Sequence, residues 1–228
     1  MLRFLLTMNS EISKNVLKSG TSIVGIVCKD GVVLGADRRS TAGGDGMSIV
    51  MGKNKVKIRK VTDNILASYT GSVSDLELSN KVLAAELRLK ELRTNSKSTV
   101  KEAANLLATF TYRNIRTPTA IPSIVGTLIA GVDEDGTTSL YTIEPAGAAS
   151  EVEDFDANFS SGMPYILGLL ERQYKKDLSV KEGAELAKDC IKSSIERDPG
   201  SGNGIDVFTI TKSGVQHVFS EQLTQQFK

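Results

Sequence analysis

The chain has 228 residues, of which 40% are hydrophobic and 24% charged, and its 28 basic and 27 acidic residues leave a formal net charge of +1. This length and composition indicate an ordinary globular protein with a sizeable core, and the balance of charge argues against a general attraction to nucleic acid or to an anionic membrane. One histidine excludes multi-histidine metal sites, and two cysteines outside any Cys-x-x-Cys pattern argue against a disulfide framework or a zinc ribbon.

Residues 1–20 mix polar and apolar side chains with little periodicity. Their apolar run around Leu5-Leu6 is too short to span a membrane and lacks the long apolar region of a secretory signal. We interpret residues 1–20 as a leader that is later removed, and residues 21–228 as a single domain.

Residues 20–37 have the sequence of a β-hairpin. Residues 22–28 are rich in β-branched side chains, Asp30-Gly31 is a two-residue turn signal, and residues 32–36 run back. This turn predicts that Cys28 lies opposite Val33 and Val24 opposite Asp37, which returns Asp37 to the neighbourhood of Thr21. A Thr directly after a Gly at the head of the first strand suggests a nucleophile that is uncovered by cleavage between Gly20 and Thr21.

The following segments alternate between strand and loop signals. Residues 42–46 are predicted as a loop, because glycines there supply conformational freedom at low steric cost. Residues 48–51 and 55–61 are predicted as a second pair of strands, and residues 65–71 as a further strand.

Helical periodicity begins at Asp75. Residues 75–93 carry apolar side chains on one stripe, and a second helix is predicted to start near Ser98, which we interpret as its cap. Further predicted elements are strands at 123–132 and 139–143, helices at 163–176 and 180–196, and a last hairpin at 205–211 and 215–219. Ser179, with Glu182 three residues later, is the predicted cap of the fourth helix.

This order of strands, two helices, strands, two helices and strands predicts an α+β fold with stacked sheets at the centre and helices on the outer faces. His217 lies in the last strand, where an ordinary strand histidine is the simpler interpretation, so a hydrolase of this sequence would use another base. Cys28 and Cys190 are interpreted as small buried hydrophobes in a reducing compartment.

An N-terminal Thr carries its own base. Its α-amino group has a pKa of roughly 8, against about 10.4 for a Lys side chain, so a useful fraction is neutral at neutral pH. The amine can take the hydroxyl proton directly or through one water. Gly20, without a Cβ, leaves the backbone free to adopt the geometry in which the Thr21 hydroxyl attacks the preceding carbonyl.

Several spaced motifs together resemble a known family. They are TSIVGIVCKDGVVLGADRRST from Thr21, a Lys-Ile pair, Tyr-Thr-Gly-Ser-Val-Ser-Asp, Ser-Ser-Gly and Arg-Asp-Pro-Gly-Ser-Gly. In this order, from about Thr21 to Phe219, the sequence is similar to proteasome β-type subunits, most of all to archaeal ones. The resemblance implies the four-layer αββα sandwich of N-terminal nucleophile hydrolases, threonine-type endopeptidase activity and assembly into stacked seven-membered rings.

The resemblance also implies roles for individual residues. Thr21 matches the nucleophile, Asp37 the acidic residue that ends the second strand, and Lys57 the lysine that lowers the proton affinity of the nucleophile. Other lysines lie nearby at 53, 55 and 60, and Lys57 is preferred because its spacing from Gly71 matches the family. Gly71 itself matches the residue whose backbone N–H stabilises the oxyanion.

Supporting and substrate-binding positions follow in the same way. Ser161, Asp198 and Ser201 match a set that orients the α-amine by hydrogen bonds, and Thr41 matches a position that binds the substrate backbone. The residues that correspond to the specificity pocket are Ser40, Lys55, Tyr69 and Val73.

Three departures from the family pattern are visible. Residues 43–46 form an insertion before Lys57, and Tyr69 is bulky for the base of the specificity pocket, which leaves the substrate preference open. Ser22-Ile23 replaces a run of threonines, for which we expect no catalytic cost.

The implied partners are proteasome α-subunit rings, other β subunits, a regulatory ATPase acting through the α rings, and unfolded polypeptides. No cofactor, metal, nucleic acid or membrane is implied, and the expected location is cytoplasmic.

Two alternatives stay open. One is a ring-building β subunit that is never processed or is active only beside a different β subunit. The other is an N-terminal nucleophile amidohydrolase that acts on small amides as a monomer or dimer. An α-type ring subunit is disfavoured, because Thr21 and Lys57 would have no reason to occur together.

Overall fold

The computed structural model describes residues 20–44, 47–119 and 123–223. In chain order the elements in these ranges are β1 (Ile23–Cys28), β2 (Gly31–Asp37), β3 (Ser40–Gly44), β4 (Met47–Gly52), β5 (Ile58–Lys60), β6 (Ile65–Gly71), α1 (Val73–Thr94), α2 (Val100–Arg116), β7 (Val125–Val132), β8 (Thr138–Ile143), β9 (Ala149–Glu151), β10 (Phe155–Asp156), α3 (Met163–Gln173), α4 (Val180–Ile195), β11 (Gly204–Thr211) and β12 (Gly214–Gln222). None of the helices in the described part of the chain is long and apolar enough to cross a membrane.

Two five-stranded antiparallel sheets lie at the centre of the fold. Their strand orders are β10-β1-β2-β11-β12 and β5-β6-β7-β8-β9, while β3 and β4 form a separate hairpin. Helices α3 and α4 cover the first sheet, and α1 and α2 cover the second. The predicted α+β class and four-layer αββα sandwich are confirmed.

Burial on both faces of each sheet explains the layering. In β1, Val24 and Ile26 pack toward α3 and α4, whereas Ile23 packs between the sheets against residues such as Leu34 and Leu128. A strand that is buried on both faces has an almost continuous run of apolar residues. Successive side chains of such a strand alternate between the helix layer and the space between the sheets. Thr21 and Ser22, which precede β1, are thereby carried to the end of the inter-sheet core.

The predicted register of the first hairpin is wrong by two residues. Cys28 pairs with Gly31 and Val24 with Gly35, so the turn is Lys29-Asp30 rather than Asp30-Gly31. The Asp30 carboxylate accepts the Val180 N–H at 2.8 Å, which docks the turn on the start of α4. A shift of two keeps every side chain on its predicted face, and the Asp37 N–H donates to the Ser22 carbonyl at 3.1 Å.

Two further strand predictions need correction. Residues 42–44 belong to β3 instead of a loop, and the rest of that predicted loop, residues 45 and 46, lies outside the described residues. The predicted pairing of residues 48–51 with 55–61 is also wrong, because β4 pairs with β3 and β5 pairs with β6. Strands β9 and β10 were not predicted, since two or three residues are too few to show a periodicity.

The helices follow the sequence closely. The cap of α4 is confirmed: Ser179 and Glu182 form a capping box with N–H···O distances of 3.3 and 2.8 Å. The cap of α2 is Thr99 rather than Ser98, since the Thr99 hydroxyl accepts the Glu102 N–H at 3.2 Å and the Glu102 carboxylate accepts the Thr99 N–H. Helix α3 ends at Gln173, three residues before its predicted end at residue 176.

Both cysteines and the histidine have structural environments. Cys28 and Cys190 are free and buried, and burial raises the pKa of each thiol to about 12. His217 stacks on Phe208 in the neighbouring strand, with ring centroids 4.1 Å apart, and its Nε2 lies 2.9 Å from Asp206 Oδ1. These contacts match the interpretation of an ordinary strand histidine.

Candidate active site

Thr21 lies where one end of the two sheets meets three loops. It is 6% exposed and directly precedes the buried Ser22 and the first strand of the inner layer. The end of β2 supplies Asp37, the loop before β5 supplies Lys57, and the loop between α4 and β11 supplies Asp198. Residues that are far apart in the sequence therefore surround one hydroxyl group.

Asp37 and Lys57 form a buried ion pair beside that hydroxyl. Lys57 Nζ lies 2.5 Å from Asp37 Oδ1 and 3.1 Å from Thr21 Oγ1, and the Asp37 side chain is fully buried. Asp37 also accepts backbone N–H groups from Ser22, Arg39 and Gly202 at 2.8 to 2.9 Å. These donors hold the carboxylate, and the carboxylate in turn holds the lysine.

Burial is the dominant influence on Lys57. Desolvation lowers the pKa of its ammonium below the usual lysine range, and the nearby Asp37 carboxylate only partly opposes this effect. A lysine with a lowered pKa is neutral in a larger fraction of molecules than an exposed lysine, and a neutral nitrogen can accept a proton.

Replacing Asp37 by Ala is expected to destabilise the fold. The change leaves the buried Lys57 without its carboxylate and leaves three backbone N–H groups without an acceptor, a cost of about 3–5 kcal/mol. Urea unfolding followed by circular dichroism would measure this difference in the free energy of unfolding. The matched control is Asp63→Ala, which breaks an exposed pair with Lys60 and should leave the free energy of unfolding nearly unchanged. Equal effects of the two substitutions would contradict a structural role of the buried pair.

A second group of polar residues contacts the backbone nitrogen of Thr21. The Thr21 N–H donates to Ser161 Oγ at 2.9 Å, and the Ser161 and Ser201 hydroxyls each lie 2.6 Å from Asp198 Oδ2. Asp198 is 7% exposed, and Ser201 is fully buried. Ser161, Asp198 and Ser201 thus form one network on the nitrogen side of Thr21, while the Asp37–Lys57 pair lies on its hydroxyl side.

Ser22 joins these two sides and has a role that sequence reasoning missed. Its N–H donates to Asp37, while its hydroxyl lies 2.7 Å from Ser201 Oγ and 2.5 Å from Ser194 Oγ. A Cβ on Gly162 would lie 2.0 Å from this hydroxyl, so the glycine leaves room for it. The sequence contained one signal, namely a small polar residue within an otherwise apolar strand start.

The peptide bond before Thr21 has hydrogen-bond partners on both sides. The Gly20 N–H donates to Thr41 Oγ1 at 2.7 Å, and the Thr21 hydroxyl donates to the Gly20 carbonyl oxygen at 2.7 Å. Thr41, predicted to bind a substrate backbone, therefore binds the backbone of Gly20. The nucleophile candidate already contacts the carbonyl group that its attack would have to reach.

A cavity beside Thr21 contains the remaining predicted residues. Its lining includes Gly71 and all four predicted pocket positions, which are Ser40, Lys55, Tyr69 and Val73. Gly71 has a φ of +110°, and a Cβ there would lie 2.1 Å from the Ile124 carbonyl oxygen, so only glycine fits. Tyr69 is 1% exposed and donates its hydroxyl to Asn80 Oδ1 at 2.9 Å. The structure thus brings every predicted site residue around Thr21.

Comparison with known proteins adds an independent observation. A family model described as "Proteasome subunit" matches residues 17–210. The chain is 40% identical over 201 residues to a "Proteasome subunit beta" of Nanoarchaeum equitans, covering 88% of this chain and 98% of that protein. Proteins of the same description from Archaeoglobus profundus and Methanothermobacter thermautotrophicus are 37% and 38% identical, with 93% or more of each chain covered.

Proposed function

This chain belongs to the proteasome subunit family, and from that premise we propose that it is a threonine-type endopeptidase of the proteasome core. Residues 1–20 are a propeptide in this proposal, and residues 21–228 are the single catalytic domain that remains. The observation that carries the proposal is the contact of Thr21 Oγ1 with both Lys57 Nζ, at 3.1 Å, and the carbonyl oxygen of Gly20, at 2.7 Å.

Removal of the propeptide is the first reaction. Thr21 Oγ1 attacks the Gly20 carbonyl carbon while its proton passes to the neutral form of Lys57 Nζ. The carbon–nitrogen bond then breaks, and the Thr21 nitrogen takes the proton from Lys57 Nζ as it leaves, which produces an ester and a free amine. Water hydrolyses the ester, so that Gly20 ends as a carboxylate and the Thr21 hydroxyl is restored.

Peptide cleavage uses the amine that the first reaction releases. This amine takes the hydroxyl proton as Oγ1 attacks a substrate carbonyl, and it then passes the proton to the leaving amino group. The Gly71 backbone N–H stabilises the oxyanion. Ser161, Asp198 and Ser201 orient the amine, and Lys57, in its protonated form, lies beside Oγ1 and favours the deprotonated hydroxyl. Water releases the acyl group from Thr21.

The cavity supplies substrate selection in this proposal. Thr41 binds the substrate backbone, and the residue before the cleaved bond enters the space bordered by Ser40, Lys55, Tyr69 and Val73. Because the ring of Tyr69 is buried and its hydroxyl is bonded to Asn80, it gives this space a rigid base. We expect small and medium apolar side chains to be preferred over large aromatic ones.

Replacing Tyr69 by Leu tests this preference. The smaller side chain deepens the pocket, and the ratio of kcat/KM for a peptide amide with Phe before the cleaved bond to one with Ala should rise by about tenfold or more. Tyr69→Phe is the matched control, since it keeps the ring and loses only the bond to Asn80. An unchanged ratio in the Leu variant would show that Tyr69 does not limit the pocket.

The proposed assembly follows from the family. The chain joins other β subunits in seven-membered rings, which stack between α-subunit rings in a four-ring barrel in the cytoplasm. A regulatory ATPase acting through the α rings would supply unfolded polypeptides to the sites inside. No cofactor takes part in the proposed chemistry.

Size-exclusion chromatography and intact-mass measurement on the same peak test the proposal. Co-expression with α subunits should give a ring-sized particle in which the β chain has lost residues 1–20 and cleaves peptide amides. A ring-sized particle with an untrimmed, inactive chain would instead favour a structural or partner-dependent β subunit. Monomers or dimers that cleave only small amides would favour an amidohydrolase.

A further inference from the structure

The backbone of Gly20 lies directly against the backbone of Gly200. A Cβ on Gly20 would lie 2.2 Å from Gly200 Cα, and a Cβ on Gly200 would lie 2.5 Å from Gly20 Cα. Both distances are far below the contact distance of roughly 3.5–4.0 Å between carbon atoms. The opposing atoms are backbone atoms, so no change of side-chain rotamer can relieve the clash.

The segment that carries Gly200 cannot move away from Gly20 without disturbing the hydrogen bonds around Thr21. The Gly200 N–H donates to Asp198 Oδ1 at 3.0 Å, and the Ser201 N–H donates to the Asp198 carbonyl at 3.1 Å. Asp198 is itself bonded to Ser161 and Ser201. A displacement of Gly200 would therefore move the network that contacts the Thr21 nitrogen.

Residue 20 is equally confined from the other side. Its N–H is bonded to Thr41 Oγ1 and its carbonyl oxygen to Thr21 Oγ1, both at 2.7 Å. A methyl group at position 20 or at position 200 would push the carbonyl carbon away from the hydroxyl that must attack it. Because an attack geometry depends steeply on distance, a misplacement of about 1 Å can lower the rate by about 10²-fold.

We propose that Gly200 is a specificity-determining residue for propeptide removal, because its backbone leaves no room for a side chain on the residue before the nucleophile. The proposal rests on the proposed function of Thr21. It separates the two reactions: Gly200 faces residue 20 only while the propeptide is attached, and the contact disappears when Gly20 leaves. In the trimmed enzyme a Cβ on Gly200 would still meet Asp198 Oδ1 and Ser161 Oγ at 3.2 Å, so these two atoms must shift by a few tenths of an ångström, which is far less than the displacement that the contact with Gly20 requires.

The test follows propeptide removal and peptide cleavage in the assembled full-length chain. Intact mass over time gives the trimming rate, and activity divided by the trimmed fraction gives turnover per trimmed chain. Gly200→Ala should slow trimming by on the order of 10²-fold and lower turnover per trimmed chain by no more than a few-fold. Gly20→Ala should slow trimming equally, and its trimmed product is identical to that of the unsubstituted chain.

Gly168→Ala is the matched control, because a Cβ at this position in α3 meets nothing within 4 Å. Trimming of Gly200→Ala at the unsubstituted rate, or an equal loss in trimming and in turnover, would overturn the proposal. Should Gly200→Ala fail to assemble, unimpaired trimming of Gly20→Ala would overturn it as well. Trimming of a Thr21→Ala chain at the same bond would instead contradict the proposed function.

Discussion

Replacing Thr21 by Ala is expected to abolish both removal of residues 1–20 and cleavage of peptide amides. The change removes a methyl group and Oγ1, the atom that contacts both Lys57 Nζ and the Gly20 carbonyl oxygen, and Thr21 is not a member of the hydrophobic core between the sheets. Loss of a nucleophile that acts as a unit with its base lowers kcat by on the order of 10⁴-fold or more. Intact mass and hydrolysis of a fluorogenic peptide amide by the same ring-sized particle measure the two effects together.

Thr21→Ser is the matched control for this experiment. It keeps the hydroxyl, and we expect a trimmed chain that retains peptide cleavage. A Thr21→Ala chain that is still trimmed at residue 20 and still cleaves peptides would refute the assignment of the nucleophile. An untrimmed but peptide-cleaving Thr21→Ala chain would place the peptidase activity at another group.

Periodicity predicted the layers of this fold well, because the buried faces impose it. Strand β1 and helix α4 carry long apolar patterns between clear turn and capping signals, and both appear where they were predicted. The register of the first hairpin was predicted wrongly, because it depends on a distant contact. Asp30 binds the start of α4 at Val180, 150 residues later in the chain, and local turn statistics contain no such information.

The candidate site was predicted from spaced motifs rather than from local chemistry. A lysine on a strand, or Asp-Pro-Gly-Ser in a turn, has ordinary structural explanations when considered alone. The contacts of Ser22 and Gly200 escaped prediction for a different reason. The role of Gly200 depends on the close approach of its backbone to Gly20, and that of Ser22 depends on hydroxyl contacts with Ser201 and Ser194 within 2.7 Å, and only the packed structure brings these groups together.

Replacing Lys57 by Ala is expected to leave a folded, assembled chain that is neither trimmed nor active. The fold should survive because Asp37 keeps its three backbone N–H donors, from Ser22, Arg39 and Gly202. The chemistry should not survive, because the substitution removes the nitrogen 3.1 Å from Thr21 Oγ1 and with it a proton acceptor worth roughly 10²–10⁴-fold in rate. An unchanged rate of trimming in Lys57→Ala would show that Lys57 takes no part in propeptide removal.

The pH dependence of trimming distinguishes the two ways in which Lys57 could act. Burial lowers its pKa, so the fraction of neutral lysine increases as the pH rises toward that lowered value, and a neutral acceptor predicts faster trimming at higher pH. A fixed positive charge predicts the reverse trend, and partial rescue by Lys57→Arg, whose guanidinium stays protonated. We expect the rate of trimming to rise with pH in the unsubstituted chain and Arg to give no rescue, because the planar guanidinium must enter a site where Lys57 is 9% exposed. Trimming that slows with rising pH would assign Lys57 a purely electrostatic role and would require another proton acceptor for the first reaction.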